Sequence, residues 1–237
     1  MICRYWKEKR NGFPRCPASK FKNFPEQPKA KFCLLPWKQS SELMDAEPNT
    51  PTNEQIRDFV IAGHGNLPRI REMLMENPGL LNASYQWGEN DSETAIQAAA
   101  QSGSPGVAEY LLSHGAPLDI CTAAMLGRKD VVEQMLEKDP GLINARGAHG
   151  ISIMAHAAWS NNVELAQMLF ERGATVGMSH SLGNAVMKGD VRMARWIIEN
   201  GHPDFSWTNY EGKTLLKIAS ETPNSDMITL LREHGAV

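Results

Sequence analysis

The sequence is poor in the features that mark most chemistry. It has four cysteines in 237 residues. Cys3, Cys16 and Cys33 lack C-x-x-C spacing, and residues 1–51 contain no histidine to complete a zinc site. Cys121 falls in a helical segment, as a small buried residue would. This usage fits reduced thiols and a cytoplasmic location. The tail's longest apolar run, Phe32-Cys33-Leu34-Leu35, is too short for a signal-peptide core or a membrane span. Gly147-Ala148-His149-Gly150 lacks the lysine and context of a phosphate loop, and no G-x-S-x-G turn holds a serine. No catalytic, metal or cofactor-binding residues are therefore assigned. Net charge is −3, yet residues 1–43 carry ten Lys/Arg against three acidic residues, and 44–237 carry fourteen against twenty-four. The acidic larger part argues against nucleic acid as its ligand.

What the chain does have is repetition. The stretch Thr94–Asp119 reads as two short helices folded back on each other. Ala98, Ala99 and Ala100 are strong helix formers, and Gly103 follows where a left-handed residue ends a helix. Ser104 is placed to cap a second helix with Pro105 at its first position. Val107, Ala108, Leu111 and Leu112 then form one apolar stripe, and Gly115 closes it. Two such helices are too short to stand alone and need neighbours.

The neighbours come from copies of the same pattern. With Gly103 as anchor, equivalent positions are Gly65, Gly127, Asn161, Gly189 and Pro223. Apolar pairs such as Leu111-Leu112, Leu169-Phe170 and Ile197-Ile198 follow the anchors at a fixed distance. Gly115, Gly173, Gly201 and Gly235 recur after four of them. Gaps between anchors run 38, 24, 34, 28 and 34, so the first, third and fifth anchors lie 62 apart both times. NPGLLNA (77–83) and DPGLINA (139–145) share that 62-residue offset. A duplicated two-repeat unit explains this. Repeats two, four and six then have room for a projecting hairpin, and repeats three and five do not. Each fully buried Leu or Ile contributes roughly 1.5–3 kcal/mol, enough for stacked seams to hold an array.

With these residues in view the chain resembles the ankyrin repeat family, whose units carry a T-P-L-H-x-A core. Thr94-Ala95-Ile96-Gln97-Ala98-Ala99 and Ser152-Ile153-Met154-Ala155-His156-Ala157 match it, with a looser copy at Thr214–Ala219. Gly115-Ala116, Gly173-Ala174 and Gly235-Ala236 match the family's second-helix ending. The resemblance implies an all-α solenoid of about six helix-turn-helix units over 52–237, with short β-hairpin or loop tips on alternate repeats. The units run about 52–83, 84–117, 118–145, 146–177, 178–206 and 207–237. Residues 1–51, Pro-rich and basic, read as a disordered tail. Met44-Asp45-Ala46-Glu47 opens a segment of different composition and is a candidate native start. Glu54, Arg57 and Asp58 are expected on the outer side of the first repeat, with Arg232 and Glu233 capping the last.

The same resemblance implies a non-catalytic scaffold that binds another protein through its concave face and hairpin tips. Its tips are Tyr85–Asp91, Arg146–His149 and Trp207–Glu211. The partner-binding candidates are Tyr85, Trp87, Glu89, Asp91, His149, His156, Trp159, Trp207, Tyr210 and Glu211. The competing role for the aromatics is packing each hairpin against the next. Trp196 reads as core or back-face packing. His114 and His234 sit where an imidazole meets unpaired helix carbonyls, and His64 and His202 also read as structural. The chain is expected to be monomeric, with no membrane partner. Two alternatives differ in class. One is a metal-dependent or hydrolase-like enzyme using His149, His156 and His180. The other is a nucleic-acid or membrane tether formed by the basic tail.

Overall fold

The computed structural model describes residues 50–221 and 224–236. The basic tail with its three cysteines, the candidate start at Met44, and the sixth anchor, Pro223, lie outside the described residues. Six helix pairs follow one another: α1 (Asn53–Gly63) with α2 (Leu67–Glu76), α3 (Ala95–Gln101) with α4 (Pro105–Ser113), and α5 (Ile120–Met125) with α6 (Lys129–Lys138). The series continues with α7 (Ile153–Ala157) and α8 (Val163–Glu171), α9 (Met178–Lys188) and α10 (Val191–Gly201), and α11 (Leu215–Glu221) and α12 (Ser225–Glu233).

First helices form one layer, each packed on the next from α1 to α11, while α2 touches α4 and α10 touches both α8 and α12 in the other. The first helices α3, α5 and α7 are short and alanine-rich because they are sandwiched. Ala98, Ala99, Ala123, Ala124, Ala157 and Ala158 are all fully buried, and larger side chains would push the layers apart. The second helices supply bulk through Leu111, Leu165, Leu169, Ile197 and Leu231, also fully buried. Glu54, Arg57 and Asp58 are exposed on the outer side of α1, as the sequence led us to expect.

In the first five pairs the turn between the helices runs through one positive-φ residue. Gly65, Gly103, Gly127, Asn161 and Gly189 have φ of 144°, 63°, 69°, 59° and 75°. These are the five described anchors; glycine and asparagine are the residues that tolerate this region. At Gly103 the need is double, since a Cβ there would also collide with the Trp159 ring.

Two local expectations change. Ser104 sits at the N-cap of α4 but makes no side-chain cap bond; its Oγ donates to the His64 carbonyl of the previous repeat at 3.1 Å. Gly201 is helical, the last residue of α10, and glycine suits it because a Cβ there would meet Met178 Sδ at 2.8 Å. His202 takes the left-handed position instead, with φ 46°.

The tips differ in size. The first is a two-stranded antiparallel hairpin, β1 (Ser84–Gly88) and β2 (Asp91–Thr94), irregular between Gln86 and Gly88. The second narrows to the single bridge Arg146–Ser152 around a 3₁₀ turn at Ala148–Gly150, and the third to the bridge Thr208–Thr214. Their shorter segments close before a second pair of ladder bonds can form.

Side chains tie the repeats at their turns. Asn162 accepts from Leu165 N–H at 3.0 Å as the α8 N-cap, and its Nδ2 donates to Gly127 O at 3.2 Å in the repeat before. Asn224 does the same between Met227 N–H (3.1 Å) and Gly189 O (3.0 Å). With Ser104, the N-cap residues of repeats two, four and six thus each hold a turn of repeats one, three and five. Asn162→Asp keeps the cap acceptor and loses the amide donor; Asn162→Ala loses both. We expect Asn162→Ala to cost about 1–3 kcal/mol and Asn162→Asp less than half as much, read by urea denaturation. Equal losses would assign the whole effect to the tie.

Candidate functional site

The hairpin is anchored at its base and open at its tip. Alternation along β2 turns Glu93 inward, where it is fully buried, and leaves Ser92 outside. Trp87 Nε1–H donates to Glu93 Oε2 at 2.8 Å, yet the ring stays 37% exposed. Tyr85 packs edge-on against it with centroids 4.7 Å apart. Gln86, Glu89 and Asn90 face solvent.

The tip of repeat four closes onto this hairpin, passing over the tipless repeat three. Asp91 accepts from the His149 backbone N–H at 3.1 Å and from its Nδ1 at 2.6 Å. The hydrogen bond from His149 holds the Asp91 carboxyl below the usual carboxylate range. His149 keeps a left-handed φ of 54°, a conformation the two-point grip of Asp91 stabilises. Its Nε2 lies 3.5 Å from Glu93 Oε2, and His64 Nε2 lies 3.7 Å from Oε1 on the other side.

The remaining candidates separate into anchors and exposed groups. His156 is buried; its Nδ1–H donates to Ser152 O at 2.9 Å, and its ring occupies the space a Cβ on Gly147 would need. Burial pushes its imidazole below the ordinary histidine range. Trp159 donates from Nε1 to Gln101 O at 3.0 Å and covers Gly103, so it seals one repeat against another. Trp207, half-buried, lies on Gly183 of α9 with its ring 5.6 Å from His180, whose imidazole burial also pushes down. Tyr210 is 95% exposed beside Glu211, whose carboxylate sits 2.8 Å from Lys213 Nζ and is lowered by that contact.

Trp196 packs edge-on against Phe170 in the second-helix layer, at 5.8 Å. His114 and His234 donate from Nδ1 to Tyr110 O and Leu230 O at 2.8 and 2.9 Å, as their last-turn positions led us to expect. His149, His156 and His180 thus make different contacts: Asp91, a backbone carbonyl and Trp207. Among the described residues, no three His, Cys, Asp or Glu side chains are grouped to hold a metal. Cys121 is buried, which pushes its thiol up to about 12. No described helix is long and apolar enough to cross a membrane. Sequence reasoning passed over Glu93 and read His64 as structural; the alternating Asp91-Ser92-Glu93-Thr94 pattern was the available signal for the first.

Comparison with known proteins agrees with this architecture. Residues 91–123 match the ankyrin repeat family model. They span β2 to α5, and the same helix pair recurs on both sides. The chain carries an ankyrin repeat at 91–123 within an array of like helix pairs. Ankyrin repeats are generally non-enzymatic protein-interaction scaffolds. Over 189 residues it is 24% identical to ankyrin repeat protein nuc-2 of Neurospora crassa, matching 73% of this chain and 17% of that one. It is 31% identical to human BCL-6 corepressor-like protein 1 over 103 residues, covering 41% of this chain and 6% of that protein. It is 29% identical to phosphocholine transferase AnkX of Legionella pneumophila over 114 residues, covering 43% and 12%. The chain therefore spans less than a fifth of each of these relatives. The crystal structure of the human ASB11 ankyrin repeat domain aligns at TM-score 0.42 and 21% identity, covering 76% of this chain and 83% of that one.

Two buried imidazoles make the array acid-sensitive. Burial lowers both His156 and His180 from 6.5, so the folded state binds fewer protons than the unfolded chain once pH falls below that value. Stability is full above about 6.5 and is lost progressively below it. We expect the urea midpoint to fall between pH 7 and pH 5, and His156→Gln to flatten that slope. A midpoint independent of pH in this range would contradict the assignment.

Proposed function

We propose that this chain is a non-catalytic scaffold that binds another protein through its hairpin tips and the concave face they border. The observation that carries this reading is the exposure of Trp87 and Tyr210 on tips fixed from below. Trp87 is held by Glu93, and the third tip is seated through Trp207 on Gly183. Exposed aromatic side chains on rigid supports are what interface anchors require. His156 and Trp159 contribute by holding the first-helix layer. Glu89 and Glu211 make the edge acidic, which favours a basic partner segment. The single described cysteine, buried and unpaired, supports a reducing, cytoplasmic setting. We take the chain to act as a monomer.

The test compares wild type with a Trp87→Ala, Tyr210→Ala double variant in affinity capture from native lysate. Tyr210 is exposed, whereas Trp87→Ala also removes the donor bonded to Glu93, so the variant is expected to lose about 1–3 kcal/mol of stability and is first checked for folding by thermal melting. A specific partner captured by wild type should be lost with the variant. Retention of that partner by a folded variant would move the site off the tips.

A further inference from the structure

We propose that Glu93, His64 and His149 form a receptor for a guanidinium group, so that the recognised segment places an arginine against the base of the β1–β2 hairpin. This rests on the scaffold reading and gives its partner a chemistry.

A carbonyl or a carboxylate can only accept, so the bonds of His64 Nδ1 to Val60 O and of His149 Nδ1 to Asp91 place a proton on Nδ1 of both rings. The Nε2 atoms of the two rings face Glu93 at 3.7 and 3.5 Å, too far for a good hydrogen bond. The carboxylate is fully buried, and Oε1 has no hydrogen-bond partner. Trp87 Nε1–H, on Oε2, is the one donor bonded to it. The buried carboxylate thus has one oxygen matched and one unmatched, whereas buried polar atoms are ordinarily matched.

A guanidinium brings five N–H donors in a planar fork and carries the charge that a buried carboxylate lacks. Access is through the imidazoles, whose side chains are 35% and 33% exposed. His149 is gripped at two points by Asp91, while His64 rests on longer contacts of 3.2 and 3.3 Å to Val60 O and Ile61 O. His64 is therefore the side that turns to admit the ligand.

The experiment needs no partner protein. The full chain, labelled with ¹³C-histidine, is titrated at pH 8 with Nα-acetyl-arginine amide and, in parallel, with its uncharged citrulline counterpart. Arginine is expected to shift the His64 and His149 ring resonances saturably and leave that of His202 in place, whereas citrulline shifts none. Glu93→Gln should weaken the arginine response at least tenfold. Glu89→Gln, the same charge change at the exposed end of the hairpin, should leave it within twofold. Equal responses to the two ligands, equal losses in the two variants, or no saturable response to arginine would overturn the proposal. If Glu93→Gln does not fold, His64→Phe replaces it. That variant keeps a ring and loses the polar Nε2; a fivefold weakening is expected, and unchanged binding would overturn the assignment. Failure here removes the receptor and leaves the scaffold reading to lysate capture.

Discussion

One asparagine amide does two jobs at a time in this array. The oxygen of Asn162 caps α8, and its nitrogen holds the turn of the previous repeat; Asn224 repeats this for α12. The turn being held passes through a positive-φ residue, so its carbonyl points in one defined direction. Spacing between stacked pairs is therefore set by short polar bonds as well as by apolar area, which has no direction of its own. These ties follow the long and short alternation of the repeats. They support the inference from the 62-residue offset that two repeats were duplicated together.

That alternation also creates the candidate site. Repeat three has no tip, and so the turn at Ala148–Gly150 of repeat four can reach the hairpin of repeat two. Asp91, Glu93 and His149 meet across a gap that a regular array would have filled. The meeting includes a left-handed histidine and a buried carboxylate, both unfavourable in isolation and both stabilised by neighbours. The third tip makes a simpler contact, Trp207 on Gly183, and carries its exposed tyrosine outward.

The fold was largely legible in the sequence because its signals are local. Glycine at the anchors reports a backbone angle, and alanine clusters report a sandwiched helix; neither depends on knowing what lies across the interface. Capping was legible in part. Asn66 and Thr94 cap as their types suggest, but Ser104 turns to a carbonyl forty positions away in sequence, which no local pattern encodes. The site was legible only as a set of aromatic and acidic residue types on tips. Whether a tryptophan is an anchor or a seal depends on the residue beneath it: Gly103 receives Trp159 and Gly183 receives Trp207, while Trp87 has a carboxylate. Strand alternation could have pointed Glu93 inward, but its meeting with His149 follows from closure of repeat four onto repeat two, which no local pattern encodes.

Binding at the tips is the claim on which the functional account stands. Amide hydrogen exchange of the chain, alone and with a captured partner, tests it residue by residue. The account predicts new protection at 85–91, 146–151 and 207–213, with the outer surfaces of α8 and α10 unchanged. Protection confined to α8 and α10, around Arg192 and Trp196, would place the partner on the opposite layer and contradict it.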